Sequence, residues 1–390
     1  MERRDFIVKS GTVLTAAAFF GMFGNSNSAF GAITNSNNHT DSKKRPDPKD
    51  FSQPILKAIA IGINAPSPHN TQSWKFKVIN DTTMYLYVNE NILLPATDPP
   101  SRQIHMGAGC FIETLVVGAS TLGYKSTVTY FPEGYESQND FGIKPIAKIE
   151  LVQASENADT LSSYISARQT NRKEYDGEII SSQEFQTLKE LAGNSHSQLV
   201  FINENFKPYF DIFNKGFEIE SRTFRTNEET RNLFRFSEKQ RAEKGDGISI
   251  PQMGYHGLMK YLAENSLDNG NKEKWHSDKS INLSMKNVAK GIKSSKGIVI
   301  WITEANTFED WIKSGRDYVR FSLALTKQNL YAHPYNQAIQ EYDEMKTVRD
   351  DLDKLLNIKR NQKIQMVIRI GRSSEPYLSY RRTIDSYIVK

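Results

Sequence analysis

At 390 residues, 38% hydrophobic and 11% aromatic, the chain carries enough apolar surface for one large core or two smaller ones, which excludes global disorder. A net charge of +5 on 24% charged residues is too mild and too spread out to indicate a nucleic-acid surface. One cysteine, Cys110, excludes an internal disulfide framework and cysteine-based zinc or iron–sulfur centres, and the seven scattered histidines form no metal-binding pair.

The first 31 residues read as an export signal: Arg3-Arg4, then Asp5-Phe6-Ile7, an apolar run from Thr12 to Phe23, and small residues around Ala29-Phe30-Gly31. The arginine pair followed by Phe resembles the twin-arginine class, whose machinery exports proteins already folded, typically around a cofactor. The apolar run, about 12 residues, falls short of a spanning helix. The expectation is a cleaved leader, no stable membrane insertion afterwards and a periplasmic or otherwise exported product. No other stretch approaches spanning length. Residues 32–50, polar and proline-containing, are expected to be a disordered linker.

From there the pattern predicts a helix at Gln53–Asn64, a proline-rich turn at Ala65–Gln72, and strands at Trp74–Ile79 and Met84–Asn89. A long apolar helix follows at His105–Leu122, stopped by Gly123, then strands at Ser126–Phe131 and Ala147–Val152. A helix is expected at Thr160–Ala167, another at Ser182–Ala192, and a strand at Gln198–Ile202. Residues 206–293 read as helical, broken at Gly245–Pro251. Then come a buried strand at Gly297–Thr303, a helix at Asp310–Gln328, a loop at Leu330–Gln337, a helix at Glu341–Leu356 and a strand at Lys363–Ile370. The likeness of His105–Tyr124 to Lys313–Tyr331 points to internal duplication. The expected units are 51–155 and 156–390, the second carrying the helical insertion 206–293.

Three segments carry chemistry. In Ala65–Trp74 (APSPHNTQSW), Pro66 and Pro68 lock the backbone, while Ser67, Asn70 and Gln72 supply donors and acceptors. In Arg168–Arg172 (RQTNR), two guanidiniums and the Thr170 hydroxyl sit close together, a grouping suited to phosphate, although charged runs are more often solvated faces. Arg381-Arg382 adds two cations near the C-terminus.

Taken together, these segments resemble the nitroreductase superfamily of FMN-dependent oxidoreductases. The A-P-S-x-x-N-x-Q-x-W pattern at 65–74 is the most specific part, supported by R-x-T-x-R at 168–172 and by the apolar helix leading to Pro334-Tyr335-Asn336. The resemblance covers about 51–390 and is nearest the branch in which one chain carries two such halves. It implies an α+β fold with two similar αβ halves forming a pseudo-dimer, and hence a monomer. The first half holds only the A-P-S-x-x-N segment and the second only the arginine segment, so one complete FMN site and one degenerate site are expected.

By resemblance, Arg168 and Thr170 meet the ribityl phosphate, Arg172 lies by the flavin pyrimidine edge, and Pro66, Ser67, Pro68 and Asn70 cover the ring system, with Gln72 counted among the cofactor-binding residues. The Pro334–Asn336 loop offers a backbone N–H to flavin N5, and Arg381 and Arg382 complete a phosphate clamp. No protein nucleophile is implied, since FMN carries the redox chemistry. The implied activity is a ping-pong reduction of nitroaromatics, quinones or similar acceptors by a small-molecule donor. The alternative is a flavin-binding or storage protein whose site the insertion covers as a lid. No G-x-G-x-x-G follows a strand, so a separate dinucleotide domain is not expected.

Overall fold

The computed structural model describes residues 45–389. The leader expected over 1–31 and the linker up to residue 44 lie outside the described residues. The remainder of the expected linker is ordered, contrary to the sequence reading. Asp47 caps a 3-10 turn at Pro48–Asp50, and Arg45 is pinned to Asn64 and Ser379. A capping Asp followed by Pro is helix-start chemistry, and the polar composition of the segment masks it.

The first half runs α1 (Pro54–Gly62), β1 (Trp74–Asn80), β2 (Thr83–Val88), α2 (Arg102–Ala119), β3 (Tyr124–Tyr130) and β4 (Ala147–Gln153). The second begins with α3 (Ser182–Ala192) and β5 (Gln198–Ile202). The insertion follows, with α4 (Lys207–Arg222), α5 (Phe224–Asn232), α6 (Glu238–Lys244), α7 (Gly257–Ser266), α8 (Lys272–Trp275) and α9 (Asp278–Lys293). It closes with β6 (Gly297–Thr303), α10 (Phe308–Lys327), β7 (Tyr331–Pro334), α11 (Lys346–Leu355) and β8 (Lys363–Gly371). Both sheets are four-stranded and antiparallel, with orders β1-β2-β4-β3 and β5-β6-β8-β7. The plan is the same in each, and the insertion occupies the β5–β6 connection, where the first half has a tight turn.

The halves meet where α2 crosses α10. A Cβ added to Gly109 would lie 1.9 Å from Ile312 O, and one added to Gly315 would lie 2.0 Å from Met106 O. Each glycine stands three residues beyond the carbonyl that the other one meets, so the crossing is symmetric. Only residues without a side chain allow backbones this close. Beside the crossing, the buried Glu113 carboxylate accepts from Arg316 at 2.7 Å and from Arg320 at 3.0 Å.

The first sheet buries one face on this shared core, through Trp74, Phe76, Met84, Leu86, Val88 and Ile149. The second is covered on both faces. Val299, Trp301, Met366 and Ile368 join the shared core, while Ile298, Ile300, Ile364 and Val367 form another core with residues of α4 and α11. That explains the unbroken apolar run of β6, which alternation alone would not produce.

Two expected elements differ. Over Thr160–Ala167 only a 3-10 turn forms, at Ser162–Tyr164, because the chain must extend across to the other sheet, where Asn171 N donates to Ala332 O at 3.1 Å. The expected loop at Leu330–Gln337 contains β7, an edge strand of β8, so its closing Pro334 leaves no inner ladder bond unmade. Beyond β8 the chain returns to the first sheet. Phe76 N donates to Tyr387 O and Val389 N to Phe76 O, both at 2.8 Å, on the outer edge of β1. The stretch Arg102–Leu122 is long and apolar enough to cross a membrane, which the sequence reading overlooked, but 83% of an apolar run of 18 residues within it is buried inside the fold.

Candidate functional site

The turn after α1 is strained. His69, Asn70 and Gln72 all have left-handed backbones, with φ of 46°, 55° and 52°. Such conformations cost on the order of 1–3 kcal/mol each and persist where their surroundings over-determine them. Here Ser67 Oγ accepts from Gln72 N at 3.0 Å, and Gln72 Nε2 donates to Gly245 O at 2.9 Å. The Asn70 amide donates to Tyr380 O at 3.3 Å and Gly247 O at 3.4 Å. Gly107 of α2 lets Pro68 approach, since a Cβ there would stand 3.2 Å from Pro68 Cδ. The turn is thus locked between the insertion, the C-terminal segment and α2.

Against this turn lies a cleft of about 410 Å³, counted to its open mouth. Its walls come from four separate stretches: Pro66, Ser67 and Asn70; Arg168, Gln169, Thr170 and Arg172; Tyr377, Ser379 and Arg381; and Ile248 and Gln252 of the insertion. Three of the lining side chains are arginines, and no carboxylate is among the lining residues. Burial lowers the pKa of Arg168 and Arg172, and burial together with the nearby Arg168 brings Arg381 down to about 9. Buried cations without a counter-ion are costly.

The arginines differ in what they have left to offer. Arg381 spends its N–H groups on neutral oxygens: Ile63, Asn64 and Ala65 carbonyls at the end of α1, the Tyr380 carbonyl and Ser379 Oγ. It caps the helix terminus and contributes charge to the cleft. Arg168 makes one long bond, 3.4 Å, to Asn64 O. Among the described residues the Arg172 guanidinium has no hydrogen-bond partner. Burial, then the charge of Arg172, holds His69 down at about 4, and its Nδ1 is buried without a partner. His333, also close to Arg172 and Arg369, is held well below its ordinary value by burial. Both imidazoles are therefore neutral at pH 7.

Other expected site residues lie elsewhere. Gln72 is fully buried and is used as a clasp, its Oε1 accepting from Arg382 N and from the Tyr387 hydroxyl. Pro68 packs on α2 and does not line the cleft. Arg382 pairs with Asp246, which also binds Arg235, so its charge is already met within the fold. Pro334, Tyr335 and Asn336 are outside the lining too. Tyr335 N donates to Val367 O at 2.9 Å and Pro334 has no N–H, so neither can offer a backbone donor to a ligand. Asn336 Oδ1 accepts from Val367 N at 3.0 Å.

Sequence reasoning missed Tyr377 and Ser379 as lining residues, and neither lies in a motif; Gln169, a position of the arginine segment to which no role was given, also lines the cleft. Ile248 and Gln252 fall in and just after the glycine break already noted as a possible cover.

No family model matches the chain. A protein of Mycobacterium tuberculosis (strain H37Rv), provisionally named NAD(P)H nitroreductase Rv3131, is 27% identical over 126 residues, 32% of this chain and 35% of that protein. Another from the same organism, provisionally named NAD(P)H nitroreductase acg, is 30% identical over 87 residues, 22% of this chain and 26% of that protein. The chain therefore matches about a third or less of the length of these relatives. Among solved structures, the FMN-dependent nitroreductase NfnB of Mycobacterium smegmatis in complex with NADPH is 12% identical with a TM-score of 0.34, covering 58% of this chain and 96% of that one. Iodotyrosine deiodinase bound to FMN and 3-iodo-L-tyrosine is 12% identical, also at 0.34, covering 57% and 95%. Likeness at this level carries no argument.

Proposed function

We propose that this chain is an FMN-dependent oxidoreductase of the nitroreductase kind, with one flavin site built between two halves of a single chain, 51–155 and 156–390. The observation that carries it is the convergence of Arg168 and Arg172, from one half, on the proline-locked turn of the other, with donors unused and no carboxylate in the cleft. This donor set suits a phosphate monoester, which presents several acceptor oxygens and close to two negative charges. The names of the partly matching relatives agree with this reading.

FMN, when bound, supplies two-electron chemistry that serves a donor and then an electron-poor acceptor such as a nitroaromatic or a quinone. The protein's part is to bind, orient and enclose. Arg168, Thr170 and Ser67 would hold the phosphate and ribityl oxygens. Arg172 and the neutral imidazoles of His69 and His333 would face the polar edge of the ring system, where positive charge favours the reduced form. Ile248 and Gln252 would shield the site from water. The link between α3 and β5 spans only 193–197, whereas that between α1 and β1 spans 63–73, so the second half lacks a counterpart of the turn. One FMN per chain is expected.

A second reading, a flavin-holding protein with little turnover, is favoured by the ties that clamp the insertion over the cleft: Gln72 to Gly245, and Arg382 to Asp246. Loss of the flavin's visible absorbance on adding NAD(P)H or a quinol, and its return with a quinone, separates the two. Export is the setting we propose. Replacing Arg3 and Arg4 by Lys should retain the protein in the cytoplasm.

The test of the site is Arg168→Ala. Removing one charge-assisted partner of an enclosed anion costs roughly 2–4 kcal/mol, or roughly 30- to 900-fold in FMN affinity. Riboflavin, lacking the phosphate, should bind variant and wild type equally. An exposed control such as Lys77→Ala should leave both unchanged. Unaltered FMN affinity in Arg168→Ala would overturn the assignment.

A further inference from the structure

Outside the cleft, we propose that the root of the insertion holds an alkali cation, bound between the Glu220 carboxylate and the side-chain oxygens of Gln337, Gln340 and Tyr342. Close packing brings these groups together. Gly216 of α4 lets the 3-10 turn at Asn336–Ile339 approach, since a Cβ there would stand 3.0 Å from Ala338 N. Glu220 lies four residues further along the same face of α4. Gln340 Nε2 donates to Glu220 Oε2 at 2.5 Å, and the Gln337 amide also lies against the carboxylate. Arg349 fixes the loop that carries these oxygens, donating to Gln340 O at 2.6 Å and to Tyr342 O at 2.9 Å.

Glu220 is 5% exposed, and no Lys, Arg or His side chain among the described residues pairs with it. Gln340 and Tyr342 are as deeply buried, yet Gln340 Oε1, Gln337 Oε1 and the Tyr342 hydroxyl have no hydrogen-bond partner. Gln340 Oε1 shares its amide carbon with the nitrogen that meets Glu220, so it opens beside the carboxylate, and the Tyr342 hydroxyl lies near Glu220 and Thr226. The neighbouring charges are already met: Glu229 accepts from Ala96 N, Thr97 N and the Thr97 hydroxyl, and Arg225 is bonded to Glu344. An uncompensated carboxylate and unpaired buried oxygens each cost free energy, and a hard cation satisfies both. One carboxylate among neutral oxygens suits a single positive charge. No group of three or more His, Cys, Asp or Glu that could hold a metal ion occurs among the described residues, which argues against a divalent or transition metal. A proton is the competing occupant. Burial holds Glu220 up at about 7, so the proton serves below that pH and the cation above it. The ion ties α4, at the start of the insertion, to the loop between β7 and α11.

Urea melts of the full chain at pH 8 in potassium, sodium or choline chloride, at equal ionic strength, read the site. The equilibrium constant for unfolding should be about 10-fold smaller in an alkali chloride than in choline chloride, the effect of an ion at about ten times its Kd. At pH 5.5, where the proton holds the carboxylate, the salts should give equal stability. Glu220→Gln, which removes the charge and keeps the shape, should be indifferent to the salt at both pH values. The proposal is overturned if alkali and choline chlorides give equal stability at pH 8, as they would with water alone on these oxygens. It is overturned equally by an alkali effect that persists at pH 5.5 or in Glu220→Gln, or by stabilisation with calcium chloride alone. Should Glu220→Gln fail to fold, proton release decides: potassium or sodium chloride added to the wild-type protein at pH 6.5 should release protons that choline chloride does not, and equal release would overturn the proposal. No arm of the test involves flavin, so the reading of the cleft stands or falls separately.

Discussion

Gly315→Ala tests how the halves are joined, and it changes no residue of the cleft. The added Cβ would stand 2.0 Å from Met106 O, and real Cβ contacts essentially never fall below 3.0 Å, so α2 and α10 must separate by at least about 1 Å. The obstacle is backbone, which cannot rotate away. Overpacking of this kind costs typically 1–3 kcal/mol, and here the upper end applies. Replacing a helical glycine by alanine returns about 0.5–1 kcal/mol of backbone entropy. The net loss is about 2 kcal/mol, a fall in Tm on the order of 5 °C. Thermal melts followed by circular dichroism measure it. The control is Gly291→Ala in α9, where a Cβ would meet only side-chain ends, the Tyr335 hydroxyl at 3.3 Å and Arg369 Nη2 at 3.6 Å. That variant should stay within about 1 kcal/mol of wild type. Since the crossing sets the distance between the cleft's two walls, Gly315→Ala should also weaken FMN binding. Equal stability of Gly315→Ala and Gly291→Ala would refute the backbone contact.

Burial holds the carboxyls of Glu220 and Asp98 up at about 7, well above their ordinary range. The native state keeps protons that the unfolded chain releases near pH 4, so this stabilisation is full below about pH 4 and is lost as pH rises through about 7. Glu220→Gln should therefore lose less stability than wild type between pH 6 and pH 8 in urea melts, and a slope equal to wild type's would count against a buried protonated Glu220. Asp246→Ala leaves Arg382 and Arg235 unpaired in a largely buried place, a loss of about 2–4 kcal/mol that should expose the bond after Lys244 to trypsin and speed FMN release. Arg382→Ala should loosen the same segment without discriminating between FMN and riboflavin, unlike Arg168→Ala.

The elements that sequence located well are those whose reason is local. Ser182–Ala192 carries its own capping box, with Ser181 and Glu184 bonding reciprocally, and its bounds agree with the structure. The run Gly297–Thr303 is apolar throughout because both of its faces are covered. Failures came where distant partners decide. Tyr331–Pro334 is a strand because β8 and residues 170–171 flank it, which four residues ending in proline do not announce. Arg381 and Arg382 are neighbours with opposite employments, one at the end of α1 and the other on Asp246, and a dipeptide cannot tell them apart. Arg45 was hidden by its company, a stretch of Lys, Asp and Pro that composition assigns to solvent.

The return of the chain from β8 to the first sheet has a consequence for biosynthesis. Strands β1 to β4 can pair as soon as residues 74–153 exist, but the outer edge of β1 waits for Tyr387 and Val389. The cleft waits as well, because Asn64 and Arg381 are separated by 317 positions. Contacts of such range form late, after most of the loop entropy has been lost. No nascent or truncated chain ending before residue 381 can gather the three arginines of the cleft, so, on the proposed function, a tightly held flavin would mark a chain made and folded at least through that residue.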